Sequence, residues 1–214
     1  ALITNTTRSP RRAILEKLRR LGFDFPPELL FTPSQAVRNE LEATGTKAYM
    51  LIHPNLREEL GDLEGPPFEA VVVGDAGEAF TYANLNRAFR LLMEGCPLLA
   101  MGRTRYFREP DGLSLDVGPF VAALEYAAGV EAVVLGKPAE AFFLAAVRVL
   151  GCEPPEVVMV GDDVDSDVIA ARQAGLQALL VRTGKYRPGD DEKAKRYGAG
   201  TVDDIRAAVE EILR

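Results

Sequence analysis

Val157-Val158-Met159-Val160 runs directly into Gly161-Asp162-Asp163-Val164-Asp165-Ser166-Asp167. A short continuous apolar run of this kind reads as a buried strand. The residues after the acidic loop continue as a helix to Ala174, which Gly175 closes. Buried strand, polar loop and helix, in that order, form the unit of a parallel α/β sheet whose two faces are both covered. Four carboxylates within six residues, Asp162 to Asp167, repel one another, and crowding them beside a strand end is costly unless a cation offsets them.

The same unit recurs on both sides of this stretch. Residues 132–135 read as a buried strand ending in Gly136-Lys137-Pro138, and 139–150 as a helix with Phe142, Phe143, Ala146, Val147 and Leu150 on its apolar face. Residues 178–181 are a further strand and 202–213 a final helix. At the other end, Ala1-Leu2-Ile3 looks like the tail of a buried strand and Thr4-Asn5-Thr6-Thr7 like a polar loop. A helix follows, with Ser9 expected as its cap and Pro10 at its first position. Between these ends the apolar pattern predicts helices over 33–43, 82–93 and 119–128, and strands over 48–52, 70–73 and 98–101. Glu109-Pro110-Asp111-Gly112 is a turn signal between two short extended pieces.

Bulk composition narrows the classes. The chain has 214 residues, 47% hydrophobic and 27% charged, with a formal net charge of -7. That is ordinary globular composition. The acidic balance argues against a general nucleic-acid binder, whose affinity rests on Lys and Arg neutralising phosphates. A single pocket can still be locally positive for a small anionic substrate. No apolar run approaches the ~20 residues that span a bilayer, so no membrane partner is expected. Cys96 and Cys152 stand far apart and outside any CxxC spacing, which reads as two reduced core thiols; with no signal-peptide pattern either, a cytoplasmic setting is the default expectation.

In open α/β sheets, ligands bind beyond the carboxyl ends of the strands. Three polar loops stand there: Thr4-Asn5, Gly136-Lys137-Pro138, and Gly161 through Asp167. Magnesium is typically held by few carboxylates together with waters and substrate phosphate. Asp162, the first carboxylate after its strand, is the best placed to be such a ligand, and Asp167 could orient its neighbours or cap the next helix. Lys137 could neutralise a carboxylate and a phosphate oxygen together. Thr4 and Asn5 offer a hydroxyl, an amide and backbone N–H groups near a helix start, a cradle for phosphate. Each loop also has a plainer reading: acids complementing a helix N-terminus, an exposed loop lysine, and a helix-capping loop.

Thr4-Asn5-Thr6-Thr7, Gly136-Lys137-Pro138 and Gly161-Asp162-Asp163-(x)3-Asp167, taken together, resemble motifs II, III and IV of the haloacid dehalogenase (HAD) superfamily in order and spacing. The long insert between the first two looks like the C2-type cap of the NagD-like phosphatases, as does Gly118-Pro119-Phe120 leading into a helix. Leu85 through Leu92 and Thr183-Gly184-Lys185-Tyr186-Arg187 are similar to the same subfamily. The resemblance implies an α/β fold, a Rossmann-like parallel-sheet HAD core over 1–31 and 131–214 with an inserted α/β C2-type cap over 32–130. It implies a magnesium-dependent phosphatase acting on a small phosphorylated metabolite through an aspartyl-phosphate. Thr4 and Asn5 would bind the phosphoryl group, Lys137 would stabilise its charge and that of the nucleophile, Asp162 would ligate Mg2+, and Asp163 and Asp167 would support the metal site. A homodimer through the cap is a family-level expectation, and residues near 116–120 are expected to contribute to specificity.

One part of the family pattern is not found. Motif I, an Asp-x-Asp or Asp-x-Ser followed by Gly, supplies the nucleophile, and these 214 residues contain none. An N-terminal piece of roughly 30 to 45 residues, about one βα unit with its loops, is expected to precede Ala1. Asp75, in Val73-Gly74-Asp75-Ala76-Gly77, mimics such a motif but lies inside the expected cap, and is rejected as nucleophile. Two other classes stand beside this reading. A non-catalytic protein could keep a phosphate and metal site without motif I. A receiver-type domain shares the sheet and the acidic loop but not the cap-sized insert.

Overall fold

The computed structural model describes residues 1–109 and 111–214, with Arg108 described by its backbone alone. The chain forms two compact units, Ala1–Gly136 and Lys137–Arg214.

In the first unit, β1 (Leu2–Ile3) is followed by α1 (Arg11–Arg20) and β2 (Leu30–Phe31), which pairs parallel to β1. The first helix starts one residue later than expected. Pro10 is extended, with ψ of 155°, and occupies the cap position without a side-chain bond. The second helix, α2 (Pro33–Thr44), follows the rules of its sequence closely. Thr32 accepts the Gln35 N–H, Pro33 fills the first position, and Gly45 at φ 68° closes the end.

The centre of this unit is a four-stranded parallel sheet. β3 (Ala48–Leu51) leads through α3 (Arg57–Leu60) to β4 (Ala70–Val73), then through α4 (Tyr82–Met93) to β5 (Leu98–Ala100). A hairpin of β6 (Tyr106–Glu109) and β7 (Gly112–Leu115) comes next, then α5 (Val117–Ala128) and β8 (Val133–Val134). The sheet order is β3-β4-β5-β8. Alternation along the strands sends Leu51, Val71, Val73, Leu98 and Ala100 to one face, against Ala88, Leu92, Val121 and Leu124 of α4 and α5. Met50, Val72 and Leu99 go to the other, against Val37 and Leu41 of α2 and Leu56 and Leu60 around α3. Val71, Val72 and Val73 are fully buried, each contributing roughly 1.5–3 kcal/mol of burial. The hairpin pairs Tyr106 with Leu115 and Glu109 with Gly112; the turn expected there includes Pro110, which lies outside the described residues.

The second unit repeats the pattern on a three-stranded parallel sheet. It contains α6 (Glu140–Leu150), β9 (Val158–Gly161), α7 (Ala170–Gln173), β10 (Gln177–Val181), α8 (Asp190–Arg196), β11 (Gly200–Val202) and α9 (Ile205–Ile212), with strand order β11-β10-β9. β10 is the central strand, and Leu180 is fully buried on it. The final helix begins three residues later than its apolar pattern suggests, because residues 200–202 pair with β10 and Asp204 caps the helix by accepting the Ala207 N–H. β9 has a hydrogen-bonded neighbour on one side only among the described residues, and its four apolar or glycine residues are half-buried.

Candidate active site

Each unit carries one cluster of the residues singled out in the sequence. In the second unit, the acidic loop follows β9 at once. The backbone after it is not an ordinary helix: residues Val164–Ile169 form a π-helical turn that passes into α7. The Asp163 carbonyl accepts the N–H of Asp167 at 2.9 Å and of Val168 at 3.3 Å. Such widened turns are uncommon and recur at functional sites. Here the turn carries Asp167 back toward the strand end, so close to Gly161 that a Cβ there would meet the Asp167 carboxylate oxygen at 2.5 Å.

The four acids are not equivalent. Asp167 is buried and pairs with the buried Lys137 ammonium, Nζ to Oδ1 at 2.6 Å. Its other oxygen accepts the Asp163 N–H at 3.3 Å. Asp163 caps the turn, with Oδ1 accepting the N–H of Asp165 at 3.2 Å and of Ser166 at 3.0 Å. Its Oδ2 pairs with Lys185 Nζ at 3.2 Å. Burial pushes the Asp163 carboxyl up, but the Ser166 N–H and the Lys185 charge outweigh it and hold the group below the usual carboxylate range. Asp165 pairs with Lys193 Nζ at 2.5 Å. Asp162 is the exception: among the described residues no cation lies within 4.0 Å of it, and its Oδ2 accepts only a backbone N–H, from Lys185, at 2.8 Å.

Three lysines therefore answer three of the carboxylates, and the negative charge left over resides on Asp162. Among the described residues no group of three or more His, Cys, Asp or Glu side chains is arranged as a metal cage. The donor set is instead one uncompensated carboxylate with its neighbours engaged. That fits magnesium, which is commonly bound by one or two carboxylates and completes its shell with water and substrate phosphate.

In the first unit, Thr4 continues the β1–β2 ladder through its N–H to Phe31 O at 3.1 Å. Its hydroxyl accepts the Thr6 N–H at 3.1 Å and bonds the Thr6 hydroxyl at 2.8 Å, which folds the loop into a tight turn before α1. Asn5 lies against two glycines that follow adjacent strands. A Cβ on Gly102, after β5, would meet Asn5 Nδ2 at 3.7 Å; one on Gly136, after β8, would meet Asn5 Oδ1 at 3.0 Å and fall on the Met101 carbonyl. Only at Gly136 would a side chain crowd the amide; at Gly102 a Cβ would make ordinary contact with it.

Asp75, rejected as nucleophile on sequence position, is a structural anchor in the same unit. It is buried, its Oδ1 accepts the Gly77 N–H at 3.1 Å, and its Oδ2 pairs with Arg8 Nε at 2.5 Å. Arg8 also reaches Glu109 at 3.0 Å and lies over the Phe107 ring at 4.5 Å, fastening the Thr4–Thr7 loop to the β4 end and the hairpin. Asp116 caps α5 by accepting the Val117 N–H, and Phe120 stacks on Phe80 with centroids 3.6 Å apart.

Sequence reasoning did not assign Lys185, Lys193 or Gly184 to the acidic cluster. The signal available was the Thr183–Arg187 stretch, noted for its likeness to relatives but given no role. A lysine one strand downstream announces its partner only once β9 and β10 are paired.

This assembly of parallel sheet, acidic strand-end loop and buried lysine defines, by class, a phosphoric monoester hydrolase. The chain belongs to the haloacid dehalogenase-like hydrolases, with NagD-like structural neighbours. Models of that family match residues 1–64, described as haloacid dehalogenase-like hydrolase, and residues 134–208, described as HAD-hydrolase-like. The chain is 42% identical over 213 residues to phospholysine phosphohistidine inorganic pyrophosphate phosphatase of Rattus norvegicus, covering 99% of this chain and 79% of that protein. It is 42% identical over 212 residues to haloacid dehalogenase-like hydrolase domain-containing protein 2 of Bos taurus, covering 99% and 82%. Among solved structures, a p-nitrophenyl phosphatase from Archaeoglobus fulgidus superposes with a TM-score of 0.87 at 27% identity, over 98% of this chain and 84% of that one. A glycerol phosphate phosphatase from Mycobacterium tuberculosis, in complex with magnesium, gives 0.83 at 25% identity, over 96% and 65%. No helix among the described residues is long and apolar enough to cross a membrane.

Proposed function

We propose that this protein is a magnesium-dependent phosphatase that hydrolyses a small phosphorylated metabolite through an aspartyl-phosphate intermediate. The observation that carries the reading is the division of labour in the acidic loop: three carboxylates paired with lysines, and Asp162 left with its charge. Magnesium, when bound, supplies positive charge beside the phosphoryl oxygens; Asp162 would hold it, with Asp163 and Asp167 supporting the site. Thr4 and Asn5 hydrogen-bond the phosphoryl group in this reading. Lys137, kept in place by Asp167, stabilises the negative charge that builds at phosphorus, the largest contribution a fixed cation makes to phosphoryl transfer. The nucleophilic aspartate is none of the carboxylates assigned here. Residues 32–130 act as a C2-type cap that excludes bulk water over a small substrate, while 1–31 and 131–214 form the core. Cytoplasmic placement, expected from the sequence, belongs to the same proposal, as does dimerisation through the cap, which rests on the resemblance.

The test is a panel of phosphorylated metabolites and p-nitrophenyl phosphate, assayed for released phosphate with magnesium and with a chelator, on the full-length protein, including the segment expected before Ala1, and on its Asp162→Asn variant. Release that needs magnesium and is lost in Asp162→Asn supports the reading. Tight phosphate binding with no turnover on any compound would favour the non-catalytic alternative.

A further inference from the structure

Gly184 and Lys185, on the loop after β10, lie outside the three loops given a role in the site, yet they touch the two adjacent acids at the end of β9. The Lys185 N–H donates to Asp162 Oδ2 at 2.8 Å, and its ammonium pairs with Asp163 Oδ2 at 3.2 Å. Gly184 has φ of 58°, and a Cβ built on it would fall on the Asp162 carboxylate oxygen. Two independent demands therefore meet at Gly184. Left-handed backbone favours glycine, and the approach of Asp162 leaves no room for any side chain.

We propose that the Gly184-Lys185 turn is the positioning element of the cation site: it fixes the Asp162 carboxylate from behind. One oxygen is bound to the Lys185 amide, which aims the other for a divalent cation. This inference rests on the assignment of Asp162 as the magnesium ligand. The turn acts through Asp162 and touches neither substrate nor cation. The physical logic is that of any outer-shell contact. A carboxylate free to rotate loses conformational freedom when it binds an ion, whereas one already held by a hydrogen bond does not, and loss of such a partner typically costs about 10–100-fold in metal affinity. The Lys185 ammonium has a separate task. By pairing with Asp163 it offsets the negative charge next to Asp162.

The experiment measures magnesium binding by calorimetric titration of the intact protein, alongside the thermal unfolding midpoint in chelator. Gly184→Ala is the obvious variant, but it also strains the backbone. Gly184→Asn separates the two demands, because Asn tolerates left-handed backbone while its Cβ still meets Asp162. The expected result is a rise of about 10–100-fold in the magnesium dissociation constant of Gly184→Asn, with a metal-free midpoint close to that of the parent. In the unaltered protein the Lys185 amide resonance in a 1H–15N spectrum should shift as magnesium is added. Magnesium binding by Gly184→Asn equal to that of the parent, while Asp162→Asn binds none, would overturn the proposal and leave the Asp162 assignment standing. A Lys185 amide unmoved at saturating magnesium would do the same, and keeps the test decisive if both glycine variants fail to fold. Undiminished binding by Asp162→Asn would remove the assignment itself, and the positioning role with it.

Discussion

Lys137 and Asp167 form a buried ion pair, Nζ to Oδ1 at 2.6 Å, that joins the residue before Pro138 to the widened turn after β9. Both side chains are about nine-tenths buried, with 10% and 7% of their surface exposed. Breaking such a pair from one side leaves an uncompensated buried charge, which costs roughly 3–5 kcal/mol. Lys137→Met should lower folding stability by that amount in a urea titration and cut phosphatase turnover by ~10²-fold or more. Lys137→Met combined with Asp167→Leu should recover much of the stability and none of the turnover. Recovery of both would make the lysine structural only.

Gly136 seats the Asn5 amide, and its own Cβ position coincides with the Met101 carbonyl. Gly136→Ala should therefore destabilise the protein by about 1–3 kcal/mol through overpacking. It should also weaken competitive inhibition by inorganic phosphate, because Asn5 must give way. Unchanged inhibition would separate Asn5 from phosphate binding.

Asp75 and Arg8 make a one-sided pair, the acid buried and the guanidinium 38% exposed. Solvent screening of the arginine reduces what the pair contributes, so Asp75→Asn should cost about 1–2 kcal/mol in a denaturant melt. Turnover per folded molecule should stay within a few-fold of the parent. Complete loss of turnover in a folded Asp75→Asn protein would reinstate Asp75 as a nucleophile.

Burial, with smaller help from Glu94 and Glu69, pushes the Cys96 thiol above its ordinary value. A thiol held neutral in the folded protein and free to ionise when unfolded adds nothing below the ordinary thiol value of about 8.5 and lowers stability as pH rises past it. Alkylation of Cys96 by iodoacetamide in the native protein should need a higher pH than in the unfolded chain. Mass spectrometry after timed quenching measures this, and equal pH profiles would contradict it.

How far the sequence could be read depended on whether a feature was local. Strand 70–73 and helix 82–93 were legible to the residue because their apolar patterns are continuous and local. β2 and β11 were not, since two- and three-residue strands carry too little pattern and exist only by pairing with β1 and β10. In the candidate site, Asp162 could be singled out as the first acid after a strand. Its distinction from Asp163, Asp165 and Asp167 could not, because it depends on which lysines arrive from residues 137, 185 and 193. The π-helical turn was equally hidden. It is made by a shared carbonyl at Asp163, a matter of backbone geometry with no compositional mark.

Among the described residues β9 pairs on one side only, which bears on how these 214 residues should be handled at the bench. A strand edge that stays unpaired can template another molecule's extended segment, and hydrophobic edges of that kind seed clumping. Turbidity on concentration, compared with that of a Met159→Lys variant, would report whether this strand is where clumping starts.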